Sequence, residues 1–385
     1  MKKNKLDTSN FEMIAKTYFG FESILANELK QLGAKNIKIL NRAIKFVGDN
    51  GFLYKANYSL RTAIKILKPV KVFKIDDQED FYKKILSTNW DLFMTIDDKF
   101  MINSNSNSNI FKNSLFLTQK FKDGIVDFYK KKYGMRPDIN LIDPTIVFDV
   151  YLYENSCTIS LDSSGESLHK RGYRLNTGLA PLSEVLAAGL ILISGWDKKK
   201  PLFDGMCGSG TILIEAAMIA LNIPPQINRK KFAFQNWIDF DESLWNLIVN
   251  SQKNKIKKST IEITGYEINN KIFEIAKKNI LNAGLNSIVK ISNKNFFNSS
   301  SIIKKHIIIN PPYGVRLKEN SENFYKNIGD LIKNKFIGSD VWIISSNLES
   351  IKKIRLKPSK KFKLYQGKLE CKFLNYKIYK GSKIN

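Results

Sequence analysis

From Gly165 onward the chain alternates long helical stretches with short, almost wholly apolar segments: KPLFDGM, TIEITGYE, SIVKISN, KHIIIN and DVWIISS. A strand that is apolar at nearly every position offers no face to water, so both of its faces must be covered. The architecture that does this is a parallel, doubly wound sheet between two layers of helices. The final stretch, KFKLYQGKLECKFLNYKIYK, breaks the rhythm with two strands joined at Gln366-Gly367, an antiparallel hairpin on the sheet edge. Residues 166–385 are therefore expected to form one α/β domain, a doubly wound Rossmann-like sheet with an edge hairpin.

The remainder has a different texture, and 385 residues exceed what one core usually organises. FEMIAKTYF, FGFESILANELKQLGAKNIKIL and RAIKFVG read as strand, helix, strand, strand, a small α+β unit over residues 1–65. Residues 66–165 continue as a second α+β piece, with helices in FYKKILSTNW and LTQKFKDGIVDFYKKKYG and strands in TIVFDVYLYE and SCTISLD. Between them NSNSNSN has nothing apolar to bury and reads as a surface loop.

Composition narrows the function. With 62 Lys and Arg against 36 Asp and Glu, the net charge is +26, which points to a polyanionic partner. Abundant Lys, Asn and Ile also fit an AT-rich coding bias, so charge alone leaves a plain basic protein open. Cys157, Cys207 and Cys371 are too few and too scattered for a disulfide framework, and a reducing compartment is expected. His169 and His306 are the only histidines, so no metal site is expected. The longest apolar run, Leu186 to Ile193, is shorter than a membrane span, and no apolar region follows the basic start, so a cytoplasmic location is expected.

In PLFDGMCGSGTILIEAAMIA an apolar strand ends at Asp204 and a turn through Gly208 and Gly210 leads into a helix at Thr211. Glycines at a strand-to-helix turn let a ligand approach the backbone, and the helix start supplies unpaired N–H groups. The competing reading is a tight turn that merely needs glycine. Thr211 follows Gly210 with no lysine, so this is not a triphosphate-binding loop. The candidate acid, Glu267, lies far beyond the twenty residues a dinucleotide fold requires.

Three later strand ends stand in register with this turn. Glu267, followed by Ile268, closes IEITGYE, where a carboxylate can accept from a ribose diol; the plain alternative is an exposed strand-end glutamate. Asn295 and Phe296 follow VKIS, where an amide can pair with an adenine edge and a ring can cover its face, although Asn also commonly opens turns. KKHIIINPPYG ends in Asn310, Pro311, Pro312 and Tyr313. The prolines bar further strand pairing and send the chain rigidly away from the carboxyl edge, where doubly wound folds bind ligands. Asn310 and the Pro311 carbonyl then become preset acceptors. A nucleobase amine is a poor nucleophile because its lone pair is delocalised; acceptors gripping its hydrogens favour the pyramidal form that can attack a sulfonium methyl. Tyr313 would stack on the target base, worth about 1–3 kcal/mol.

The series Asp204 to Thr211, Glu267, Asn295 and Asn310 to Tyr313 resembles the class I S-adenosylmethionine-dependent methyltransferases that modify amino groups. LDSSGESLHKRGYRLNTGLAPLSEVLAA, FAFQNWIDFDESLW and NPPYGVRL look more narrowly like the RlmL-like 23S rRNA guanine-N2 methyltransferases, while FGFESILANELKQLGA and FKDGIVDFYKKKYGMRP are similar to their ferredoxin-like and THUMP domains. The resemblance covers nearly the whole chain. It implies a ferredoxin-like domain (1–65), an RNA-binding THUMP domain (66–165) and a methyltransferase domain (166–385). It implies S-adenosylmethionine held by Asp204, Met206, Cys207, Gly208, Ser209, Gly210, Thr211, Glu267, Ile268, Asn295 and Phe296, and Asn310, Pro311, Pro312 and Tyr313 acting on guanine N2. The partner implied is RNA, 23S rRNA or an assembling large subunit. A tRNA guanine-N2 methyltransferase, or a non-catalytic RNA-binding or ribosome-assembly factor, is the alternative; DNA adenine methylation is disfavoured because the first two units look RNA-directed. The family usually shows proline at Gly205, aspartate at Glu267 and Asn295, and proline at Asn270; Gly205 is expected to loosen the turn.

HKRGYR gathers Lys170, Arg171 and Arg174 at the entrance to the last domain, and with Arg316 these are the expected RNA contacts, against the alternative of a solvated basic linker. Phe232, Phe234, Trp237 and Trp245 are expected to pack rather than stack on bases.

Overall fold

The computed structural model describes residues 9–175, 181–312 and 321–380. In chain order the elements are β1 (Phe11–Lys16), α1 (Glu22–Leu32), β2 (Lys35–Leu40), β3 (Ala43–Gly48), α2 (Asn50–Ser59), β4 (Lys65–Lys74), α3 (Gln78–Leu86), β5 (Phe100–Asn107), α4 (Ser114–Tyr133), β6 (Ile146–Tyr153) and β7 (Ser156–Asp162). Then come α5 (Glu184–Ser194), β8 (Leu202–Asp204), α6 (Thr211–Ala220), α7 (Glu242–Lys253), β9 (Ile263–Tyr266), α8 (Asn270–Asn282), β10 (Val289–Ser292), β11 (His306–Ile309), α9 (Ser321–Lys335), β12 (Asp340–Ser345), β13 (Lys360–Gln366) and β14 (Leu369–Lys377).

β1 to β7 form one sheet in the order β2-β3-β1-β4-β7-β6-β5. The two N-terminal units thus share a continuous sheet, with β4 pairing β1 on one side and β7 on the other. The expected boundary at 65/66 falls on this shared strand. Met13, Ala15, Ile44 and Phe46 bury one face with Leu25 and Leu29 of α1, and farther along Phe73 stacks on Phe81 of α3 and Phe148 meets Phe121 of α4. Phe232, Phe234, Trp237 and Trp245 join this core, Phe234 stacking on Tyr54 of α2, as expected of packing residues.

NSNSNSN is not a loop. Its first five residues, Asn103 to Asn107, lie in β5, which pairs in parallel with β6 over eight positions, and only Ser108 and Asn109 lie beyond the strand. Ser104 faces α4, where its hydroxyl donates to the Ser114 carbonyl and meets Thr118 Oγ1, and Ser106 Oγ donates to the Phe111 carbonyl. Strand burial here is satisfied by hydrogen bonds rather than apolar area.

The second sheet has the order β10-β9-β8-β11-β12-β14-β13, parallel from β10 to β12 and closed by the edge hairpin. Successive residues of its central strands feed two separate cores. Leu202, Ile308, Trp342 and Ile344 pack on one side, and Phe203, Ile307, Ile309, Val341 and Ile343 on the other. That is the period-2 consequence of an all-apolar strand. Strand order reverses between β8 and β11, which opens a crevice at their carboxyl ends.

The two bodies are joined by a buried seam. Phe21, leading into α1, inserts against α5, where a Cβ on Gly189 would lie 2.1 Å from its ring. Arg61 donates to the Met218 and Ile223 carbonyls at the end of α6.

Candidate active site

A cavity of about 790 Å³ occupies the crevice at the carboxyl ends of β8 to β11. That is the size of a site for a nucleotide-sized ligand. Asp204, the last residue of β8, is buried, and its Oδ1 accepts from Met206 N at 3.0 Å. Burial, and secondarily the Glu267 carboxylate, push its pKa up to about 8. The same burial holds the Cys207 thiol well above its ordinary range.

Gly208 stands in the left-handed region at φ 55 and points its N–H at Glu267 Oε2, 3.0 Å away. Gly210, at φ 83, occupies the N-cap position of α6 with no side-chain cap, so the first N–H groups of that helix face the cavity side uncapped. Glu267 Oε1 accepts from Asn269 N at 2.8 Å. Each carboxylate oxygen has thus used one acceptor site and keeps another. Beside it Ile268 is 65% exposed although apolar, and it lines the cavity.

Asn295 spends its Oδ1 on Phe297 N, 3.0 Å away, capping the single 3₁₀ turn Phe296–Asn298. Its Nδ2 stays available as a donor. The Phe296 ring is only 3% exposed, because it packs over Gly205: a Cβ there would sit 2.0 Å from the ring. The glycine expected to loosen the turn instead makes room for this ring. Phe297 and Phe324 form the outer wall, edge to face at 5.4 Å.

Across the crevice, β11 ends at Ile309 and is followed by Asn310, Pro311 and Pro312, all lining the same cavity. Asn310 Oδ1 is buried and has no hydrogen-bond partner among the described residues. A buried acceptor left open costs about 1–3 kcal/mol, a cost that a bound donor removes. Tyr313 and Arg316 lie outside the described residues.

The basic cluster is corrected by the structure. Arg171 is buried: its guanidinium donates to the Leu168 carbonyl at 2.7 Å and the Arg61 carbonyl at 2.5 Å, and its Nε lies 3.5 Å from Glu215 on α6. Tyr173 also donates to Glu215. Arg174 reaches Thr211 Oγ1 and the Leu182 carbonyl, both at 2.8 Å, and pairs with Glu184 at 3.4 Å. Both arginines brace α6 and are not free for phosphates; only Lys170 is on the surface, paired with Glu166. Charge in a Gly-containing linker gave no sign of this, because the partner acids lie on distant helices.

Of the residues expected from the sequence, Asp204, Met206 to Ser209, Thr211, Glu267, Ile268, Asn295, Phe296 and Asn310 to Pro312 line this one cavity; Pro181, Leu182, Lys271, Lys294, Phe297 and Phe324 line it as well and were not expected. The Phe296-Phe297 doublet was the one available signal; single lysines in so basic a chain carry none. Among the described residues no cluster could hold a metal ion, and no helix is long and apolar enough to cross a membrane.

Residues 171–375 match the model of the RMKL-like methyltransferase domain, more than half of the chain. The chain belongs to the RMKL-like methyltransferase family. Residues 12–67 match the RlmL ferredoxin-like domain and 76–162 the THUMP domain. The ribosomal RNA large subunit methyltransferase K/L of Buchnera aphidicola (subsp. Schizaphis graminum) is 36% identical over 378 residues, covering 95% of this chain and 54% of that protein. The chain thus spans about half the length of the K/L relatives it matches. The protein slr0064 of Synechocystis sp. is 34% identical and is covered over 100% of its length. Among solved structures, SMU.472 complexed with SAH has a TM-score of 0.85 at 28% identity, covering 99% of this chain and 100% of that one. TrmN of Thermus thermophilus shares the fold, with a TM-score of 0.70 at 15% identity, covering 96% of this chain and 100% of that one.

Proposed function

We propose that this chain transfers a methyl group from S-adenosylmethionine to the exocyclic N2 amine of a guanosine in 23S rRNA. The observation that carries the reading is the open, buried acceptor Asn310 Oδ1, standing across one cavity from the uncapped α6 turn. The K/L name of the relatives supports large-subunit rRNA as the substrate, and the solved relative holding SAH supports the cofactor.

The residues present fit that cofactor. Glu267 keeps acceptor sites for a ribose diol, Ile268 offers an apolar face to the adenine, Asn295 Nδ2 a donor to its edge, and the turn from Asp204 to Thr211 cradles the amino-acid end. Bound there, S-adenosylmethionine supplies a sulfonium-activated methyl group. Asn310 Oδ1 and the Pro311 carbonyl accept the amine hydrogens, hold the nitrogen pyramidal and aim its lone pair into the cavity. The prolines keep these acceptors fixed, so little reorganisation accompanies the transfer. No strong base is needed, because a methylated ammonium is acidic enough to lose its proton to water.

The experiment is incubation of the protein with ribosomal RNA or transfer RNA and isotope-labelled S-adenosylmethionine, followed by nucleoside mass spectrometry. Label in N2-methylguanosine from 23S rRNA is expected. Label confined to tRNA moves the substrate, and no labelled guanosine in either RNA refutes the reading.

A further inference from the structure

Helices α1 to α4 all pack on one face of the N-terminal sheet, and strand register defines what stands on the other. Two rows of directly opposed residues cross that face. One runs Val72, Thr158, Tyr151, Asn105; the next runs Lys74, Ser156, Tyr153, Asn107. Val72, Tyr151 and Tyr153 are 63%, 43% and 47% exposed. Neither tyrosine ring has an aromatic or cationic partner among the described residues. The Asn105 and Asn107 side chains are likewise outward and unengaged among the described residues, whereas the alternating Ser104 and Ser106 turn to the other side, bonding to the Ser114 and Phe111 carbonyls.

We propose that this open face is a platform for single-stranded RNA, with Tyr151 and Tyr153 stacking on successive bases and Asn105 and Asn107 meeting base edges. The two rings stand roughly 7 Å apart along β6, so each can carry its own base. Aromatic side chains on an uncovered sheet are how proteins hold unpaired bases, and amides read their edges. Charge agrees. Glu12 on this side pairs with Lys45, and Asp149 and Asp162, buried where the sheet is covered away from the two rows, pair with Lys16 and Lys65, while Lys38 and Lys74 have no acidic partner among the described residues. The surplus is positive, which suits a phosphate backbone and disfavours a basic or neutral protein face; the exposed rings flanked by free amides are what favour bases over an acidic protein face. The inference rests on RNA being the substrate and assigns where, outside the residues that line the catalytic cavity, unpaired RNA is held.

The test is fluorescence anisotropy of a labelled single-stranded oligoadenylate with the full chain, alongside calorimetry of SAH. The Tyr151→Ala/Tyr153→Ala variant should lose roughly 10- to 100-fold in RNA affinity. Tyr151→Phe/Tyr153→Phe should bind as the parent does, Lys74→Ala should lower the salt slope by about 1, and all should keep the parent's SAH affinity. Alanine variants within twofold of the parent overturn the platform, even where the parent methylates rRNA, and leave the functional reading standing. A parent that takes up SAH but binds no RNA overturns both. A dimer that the alanine variants dissociate in sedimentation marks the face as a protein contact and overturns the platform.

Discussion

The N-terminal sheet carries its helices on one side, whereas the C-terminal sheet buries both faces under two cores. The difference decides where function can sit. A sheet covered on both sides has only its strand ends to offer, and Asp204, Glu267, Asn295 and Asn310 all lie at or just beyond the carboxyl ends of four strands. A sheet covered on one side offers its strand faces, and there the polar and aromatic side chains stand in rows across β4 to β7. The first arrangement preorganises a few atoms; the second spreads weak contacts over many.

Substitutions separate the two. Asn310→Ala should lower turnover by roughly 100-fold or more, the scale of losing one preset hydrogen-bonding group that is used in the transition state, with SAH and RNA affinities unchanged; single-turnover kinetics and calorimetry check it. Arg171→Ala should destabilise the fold by about 3–5 kcal/mol in denaturant unfolding, because Glu215 is left buried without its cation. An Arg171 that served only as a surface phosphate contact would show weaker RNA binding and unchanged stability.

Gly205→Ala should cost about 1–3 kcal/mol by driving a methyl into the Phe296 ring, and Phe296→Leu in the same chain should recover part of it. Thermal unfolding of the two singles and the double reads the coupling.

Asp204 gives a smaller, pH-dependent effect. Its carboxyl, raised to about 8, is protonated at neutral pH. A cationic donor favours the ionised form, so binding releases a proton. Affinity for S-adenosylmethionine should rise as pH increases from 6 to 8, by at most about tenfold per pH unit, and level off above 8. Calorimetry in buffers of different ionisation enthalpy should detect that proton, and Asp204→Asn should abolish it.

The smallest effects lie on β5. Ser104→Val should cost about 1–2 kcal/mol, because it removes the hydroxyl that meets Ser114 and Thr118. Asn105→Ser should stay within about 0.5 kcal/mol in denaturant melts.

These cases also mark what the sequence could convey. KHIIIN and DVWIISS declared their sheet because apolarity at every position admits one solution, and the strand-end residues followed from the carboxyl-edge rule. NSNSNSN concealed a strand, since its inward serines are satisfied by hydrogen bonds to the start of α4 and the segment before it and leave no apolar alternation to read. Arg171 looked like surface charge because its acid, Glu215, is 44 residues away. Gly205 looked like a loosened turn because its partner Phe296 is joined to it only by the fold.

A crystal structure with SAH bound tests the account most directly. It predicts the ribose on Glu267, the adenine against Ile268, and Asn310 Oδ1 facing the sulfur across a gap that admits one amino group. An Asn310 side chain turned into the protein interior, or SAH seated away from the β8–β11 crevice, would contradict it.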